Sequence, residues 1–205
     1  MLDSYTRATS MLSGIVWPVL TVAAVASLPT IRIFFGNQWD AAAPVATFMA
    51  LWLILRTTHS FSHSLLVVVN REKLLLFKEF VVLSSAIALV IASFPLGLNA
   101  VAASFVLLGL IELTVVSCVL KYALGFKFIA FFGKLLPSVA LSIVCGLVTW
   151  GISFLVPFDS EQAWKPVGAI AICLPLVWLG GLIILRHPLY SEIGYLVRRL
   201  IPRSV

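Results

Sequence analysis

LLLFKEFVVLSSAIALVIASF, residues 74–94, is followed by Pro95-Leu96-Gly97 and then by LNAVAASFVLLGLIELTVVSCVLKYAL, residues 98–124. A helix needs about 20 apolar residues to cross a bilayer, and each of these runs is long enough. Both runs are apolar on every side rather than along one stripe, as lipid-facing helices are. The break between them is hairpin-length, which forces the two helices to lie antiparallel and side by side. This pair decides the fold class: a polytopic membrane bundle.

The pattern repeats outward. Further spans are expected at about 11–35, 41–69, 135–156 and 167–185, giving six with the pair at 74–94 and 98–124. At about 30 residues per span and loop, 205 residues hold about this many and leave no room for a soluble domain. The chain is 61% hydrophobic and 11% charged, with a mean hydropathy of +1.12. Soluble domains are about 45–50% apolar and about 25% charged, so the composition excludes a soluble enzyme, a disordered tail and a secreted disulfide scaffold. Residues 36–40, 70–73 and 95–97 are turn-length, which predicts an up-down all-α bundle with sequential helices adjacent. Pro18, Pro137 and Pro175 interrupt three spans, as hinges or simply as the prolines usual in membrane helices. Gly146, Gly151, Gly180 and Gly181 offer close helix approach, and Trp39 and Trp164 suit an aromatic belt. Asn99 and Ser104 are expected to cap the fourth helix and pack against a neighbour. Cys118, Cys145 and Cys173 lie inside apolar runs with no metal-ligand spacing, and are expected to pack. Residues 1–10 are polar, and no signal-peptide cleavage pattern follows.

The chain carries 14 Lys and Arg against 8 Asp and Glu. Placed on alternate sides of the six spans, eleven basic residues fall on one side (Arg7, Arg71, Lys73, Lys78, Lys121 and Lys127 among them). Only Arg32 and Lys165 fall on the other. The positive-inside rule then predicts cytoplasmic termini for a bundle over residues 1–186. Residues 187–205 alternate Leu189, Tyr190, Ile193, Leu196 and Leu200 with Arg198, Arg199 and Arg203. They read as an amphipathic tail on the inner leaflet, or as an ordinary basic flank.

One stretch breaks the apolar pattern. Arg56 falls near the middle of the second span, where an arginine costs about 2.5–3.5 kcal/mol. On a continuous helix Arg56, His59, Ser60 and His63 share a face. Such a face needs a watery cavity or a polar partner. The functional reading is a site that attracts an anionic group beside histidines able to titrate. Two structural readings compete: Arg56 snorkels to an interface, or residues 57–64 break the helix. Glu112, midway along the fourth span, is either an ion-pair partner for Arg56 or a protonatable coupling group. There is no nucleotide loop, zinc motif, nucleophile elbow or paired-carboxylate site, so no cofactor, metal or catalytic role is expected.

The segment Ile33-Phe34-Phe35-Gly36-Asn37-Gln38-Trp39-Asp40-Ala41-Ala42-Ala43-Pro44 resembles the Phe-Gly-x-x-Trp hairpin of bacterial polysaccharide and O-antigen flippases. These belong to the multidrug/oligosaccharidyl-lipid/polysaccharide exporter superfamily. Residues 65–73, Leu-Leu-Val-Val-Val-Asn-Arg-Glu-Lys, are similar to its apolar-run and Gly-Arg-x-x turn, with Asn70 in place of the commoner glycine. Residues 95–102, Pro-Leu-Gly-Leu-Asn-Ala-Val-Ala, are similar to its Gly-Leu-x-Gly-Val-Ala helix start. The resemblance covers roughly residues 5–125. It implies flipping of undecaprenyl-diphosphate-linked oligosaccharides through a cationic alternating-access cavity, for polysaccharide or lipopolysaccharide synthesis. It also implies twelve to fourteen spans, so six look like the C-terminal part of such a protein. Implied partners are the lipid-linked oligosaccharide, membrane lipids, the remaining flippase half or a polysaccharide polymerase, and no nucleic acid. The alternative is a non-transporting scaffold of a polysaccharide assembly system.

Overall fold

The computed structural model describes residues 2–158, 162–185 and 187–190. The fold is an all-α polytopic membrane bundle. Its helices are α1 (Leu2–Val25), α2 (Ser27–Phe35), α3 (Ala43–Thr57), α4 (Ser62–Val68), α5 (Glu72–Ser93), α6 (Leu98–Leu124), α7 (Phe128–Leu155) and α8 (Trp164–Ile184). A 3₁₀ turn, Asn37–Ala42, joins α2 to α3. Among the described residues, six helical stretches are long and apolar enough to cross a membrane, with Asn37–Val68 counted as one. Most of the expected tail, residues 191–205, lies outside the described residues, as do Arg186 and residues 159–161 of the loop before α8.

Three expectations need correction. The first helix runs from Leu2 to Val25, so it starts well before residue 11, because the polar N-terminus is itself helical, and stops well before residue 35. Its polar residues point inward: Tyr5, Thr9 and Ser13 form one buried row and Thr6, Ser10 and Gly14 the next, while Ile15 and Val19 are exposed. Small and hydroxylated residues let backbones approach where lipid gives no hydrophobic drive to associate. Thr9 and Thr6 return their hydroxyl protons to carbonyls four residues back, Tyr5 at 2.9 Å and Leu2 at 2.8 Å, and Ser13, Ser10 and Tyr5 find partners on Ser138, Lys134 and His59, so burial strands none of them. Pro29 ends this helix, since its ring lacks an N–H and crowds the carbonyl four residues back at Val25.

Second, sequential helices are not always neighbours. Laterally the order is α5, α6, α3, α1, α7, α8. The α3 helix packs on α6 and α1 instead of α5 because Gly109 of α6 lets the Leu55 and Trp52 side chains close in. The α7 helix packs on α1, where a β-carbon at Gly146 would stand 2.8 Å from Thr21 Cγ2. Gly181 likewise admits Leu141 between α8 and α7, whereas Gly151 and Gly180 face open space. Third, the span at 41–69 is interrupted at residues 58–61.

The turns follow their chemistry. The hairpin at Gly36 is clamped by a two-pronged pair, Arg32 Nε to Asp40 Oδ1 at 2.9 Å and Arg32 Nη2 to Asp40 Oδ2 at 2.7 Å. Asn70 takes a positive φ of 53°, a left-handed conformation that asparagine tolerates better than most residues. Asn99 does not cap α6, which starts at Gly97 without a side-chain cap. Ser104 is buried and reaches Ser93 of α5 at 3.4 Å.

Two cores result. One joins α1, α4, α5, α6 and α7 around Tyr5, Leu66, Leu120, Phe126, Phe131 and Leu135. The other joins α1, α7 and α8 around Val22, Leu141, Cys145, Ile170 and Leu182, and also takes in Leu189 beyond α8. His187 inserts between α1 and α7 with 1% of its surface exposed, and its ring fills the notch left by Gly14. The Leu189 N–H donates to Nδ1 at 3.2 Å, so Nε2 carries the proton and donates to Ser138 Oγ at 2.9 Å. Burial lowers the pKa of this histidine.

Candidate functional site

The interruption at 58–61 begins in a run of hydroxylated residues. Thr57 and Thr58 both send their hydroxyls to the Ile54 carbonyl, at 2.9 and 3.1 Å, and Ser60 sends its own to Thr57 at 3.1 Å. Such back-bonding competes with the helical ladder. Thr58, His59 and Ser60 accordingly donate their N–H groups to residues three back, at 3.3 Å each. The tighter turn separates residues that a continuous helix would have aligned.

The four residues of the expected stripe therefore do not share one environment. His59 is buried, whereas Arg56, Ser60 and His63 are exposed. His59 faces α1 and α6: Nδ1 lies 2.6 Å from Tyr5 Oη and Nε2 lies 3.3 Å from Ser117 Oγ. Ser117 gives its only hydroxyl proton to the Leu113 carbonyl at 2.7 Å, so it accepts from His59 Nε2–H. Nδ1 then accepts from the Tyr5 hydroxyl. The imidazole stacks on Phe131 at 5.6 Å and 9°, and meets Phe126 edge-on at 6.5 Å. Aromatic pairs of this kind are worth about 0.5–1.5 kcal/mol beyond their burial. Trp17 of α1 adds a second stitch, donating Nε1–H to Thr57 Oγ1 at 3.0 Å.

Arg56 lies over the Trp52 ring, its guanidinium carbon 5.1 Å from the ring centre. The expected Arg56–Glu112 ion pair does not form among the described residues. Glu112 is half-buried on α6 and lies in the fields of both Arg56 and Lys78. Lys78 is the site residue that sequence reasoning missed by assigning it to a basic loop. It lies within α5, only 4% exposed, with Nζ 2.7 Å from Glu79 Oε1, and its charge also acts on His59. The signal was its place inside the quoted 74–94 run. Arg56, Lys78 and Glu79 are thus near enough to act on Glu112 of α6, and Lys78 near enough to act on His59. The Trp52 indole N–H is buried beside this group without a hydrogen-bond partner.

The large grooves lie elsewhere. One of about 960 Å³ is lined by Thr114, Ser117, Cys118 and Lys121 of α6 and by residues 125–130. A smaller one of about 270 Å³ lies across the same turn, beside Asp3 and Lys134, which pair at 3.1 Å.

No family model matches the chain, and no solved structure matches it. The chain is 24% identical over 162 residues to the teichuronic acid biosynthesis protein TuaB of Bacillus subtilis (strain 168), an alignment covering 78% of this chain and 34% of that protein. It thus matches about a third of the length of its curated relative.

Proposed function

We propose that this chain is part of a membrane protein that flips undecaprenyl-diphosphate-linked oligosaccharides across the bacterial inner membrane for polysaccharide biosynthesis, with both termini in the cytoplasm. The likeness to a teichuronic acid biosynthesis protein, running over most of the chain, carries this reading. The cluster on α3, α5 and α6 supplies a mechanism. The exposed Arg56 guanidinium meets the diphosphate, where a forked donor matches two phosphate oxygens. Glu112 and Lys78 act as the switchable background: an arriving phosphate neutralises the guanidinium whose field acts on Glu112, and that carboxylate then takes up a proton or turns to Lys78. The buried His59 holds the broken helix against α1 and is not a contact to cargo. Rocking of this bundle against a second one would carry the headgroup across.

Deletion of the gene in its native host tests the proposal. Lipid-linked oligosaccharide is expected to accumulate with its sugar accessible only from the cytoplasmic face, and surface polysaccharide to disappear. Unchanged surface polysaccharide would refute it. A scaffold role is favoured by the balance of charge in the cluster, which can hold itself together without cargo. Under that reading deletion abolishes polysaccharide, while neutralising Arg56 leaves it intact.

A further inference from the structure

The groove between α6 and α7 has a composition that selects its occupant. Thr114, Ser117, Cys118 and Lys121 recur at helical spacing along one face of α6, a face that no described helix covers along its length. The Ser117 and Thr114 hydroxyls are committed to carbonyls within α6, at 2.7 and 2.8 Å. The remaining wall is largely apolar: Phe126, Phe128, Ile129 and Ala130. Lys121 and Lys127 stand at the end where α6 stops. Gly125, in a left-handed conformation at φ 65°, caps α6 there and turns the chain at once into α7. Among the described residues neither lysine has an ion-pair partner, and no carboxylate lines the groove. Across the same turn the contrast is direct, since Lys134 is paired with Asp3. Two unpaired ammonium groups at a helix end, at the head of an apolar trough running along a membrane helix, match a lipid whose phosphate is negative and whose tail is hydrocarbon.

We propose that the groove between α6 and α7 binds an anionic glycerophospholipid, its phosphate held by Lys121 and Lys127 and one acyl chain laid along Thr114, Cys118 and Ile129. The groove adjoins the charged cluster at Ser117, which accepts from His59, but its two lysines are not part of that cluster and its role does not depend on transport. Basic residues at a membrane surface each favour anionic lipid by enough that two should give a preference of roughly tenfold or more.

Native mass spectrometry of the full-chain protein tests this, with phosphatidylglycerol and phosphatidylcholine offered together in neutral detergent. Wild-type protein is expected to retain phosphatidylglycerol roughly tenfold over phosphatidylcholine. K121Q/K127Q should lose that preference with its melting temperature unchanged. Ala130→Trp, which keeps both charges but fills the trough, should also weaken retention. K73Q, on a different groove, serves as the control and should behave as wild type. Equal retention of the two lipids by wild-type protein would overturn the proposal. An equal loss in K73Q would do so too, by reducing the effect to general surface charge. Full retention by Ala130→Trp would overturn the seat of the acyl chain. Displacement of phosphatidylglycerol by equimolar polyprenyl phosphate would assign the groove to a different lipid and overturn it as well.

Discussion

The two flanks of the bundle solve the problem of polar groups in lipid differently. On the side of α1, α7 and α8 the buried polar atoms are almost all hydroxyls, and each has somewhere to go. Ser13 reaches Ser138 at 3.0 Å, Ser142 returns to Ser138 at 2.8 Å, and Thr149 returns to Cys145 at 2.8 Å. On the side of α3, α5 and α6 charged groups join the hydroxyls, Lys78 and Glu79 are the one direct ion pair there among the described residues, and Trp52 keeps an unsatisfied N–H. A satisfied hydroxyl ladder fixes one packing. A set of charges with several possible partners leaves room for exchange, which is what cargo binding requires.

If that contrast holds, stability is concentrated on the first side and activity on the second. The largest stability effect should come from Gly14→Leu, which drives a side chain into the space of the His187 ring. Overpacking of this kind costs about 1–3 kcal/mol, seen as a lower melting temperature in detergent. Gly151→Leu, facing open space, should change it by less than about 0.5 kcal/mol. Equal losses in both would break the comparison. Next comes His59→Leu, which strands the buried Tyr5 hydroxyl and should cost about 1–3 kcal/mol. A neutral result would mean that the hydrogen bonds of His59 do not hold the turn.

Acid should produce a smaller effect. His187 binds its proton less readily in the folded protein than the ordinary histidine value of about 6.5, so the unfolded chain takes up more protons below that value. The stability that His187 contributes is therefore complete at neutral pH and is lost as pH falls below about 6.5. The melting temperature of wild-type protein should drop between pH 7.5 and 5.5, and H187Q should drop less. An identical pH dependence in the two proteins would remove His187 from the account. Lys78→Met should have a small effect on stability, since it replaces a buried ammonium by an apolar chain of similar length and leaves behind a carboxylate, Glu79, that is half exposed. Here export should suffer instead, and a variant that exports normally would weaken the case for the charged side.

The sequence made the number of membrane helices plain, because runs of apolar residues depend on local composition alone. Which helices touch was not legible, since that depends on where glycine admits a neighbour. Gly109 and Gly146 do so, while Gly151 and Gly180, of the same residue type, do not. The polar stretch at 56–63 was conspicuous, and the turn at 58–61 agrees with the competing reading of a break within 57–64 rather than with the shared face of a continuous helix. The hydroxyls of Thr57, Thr58 and Ser60 break the period that aligns a face, and spacing arguments carry no term for such back-bonding. Lys78 was readable as a charge inside an apolar run. His187 was not, because its partners on α1 and α7 are distant in sequence and only folding brings them together.

The role of the charged side is most directly measured by surface polysaccharide export in the native host, comparing Arg56→Ala with Ser13→Ala at matched protein levels. Export should fall more than about tenfold for Arg56→Ala, which removes a forked phosphate contact, and remain near wild type for Ser13→Ala. Wild-type export by Arg56→Ala would contradict a cargo-handling cluster and leave α3, α5 and α6 as scaffold.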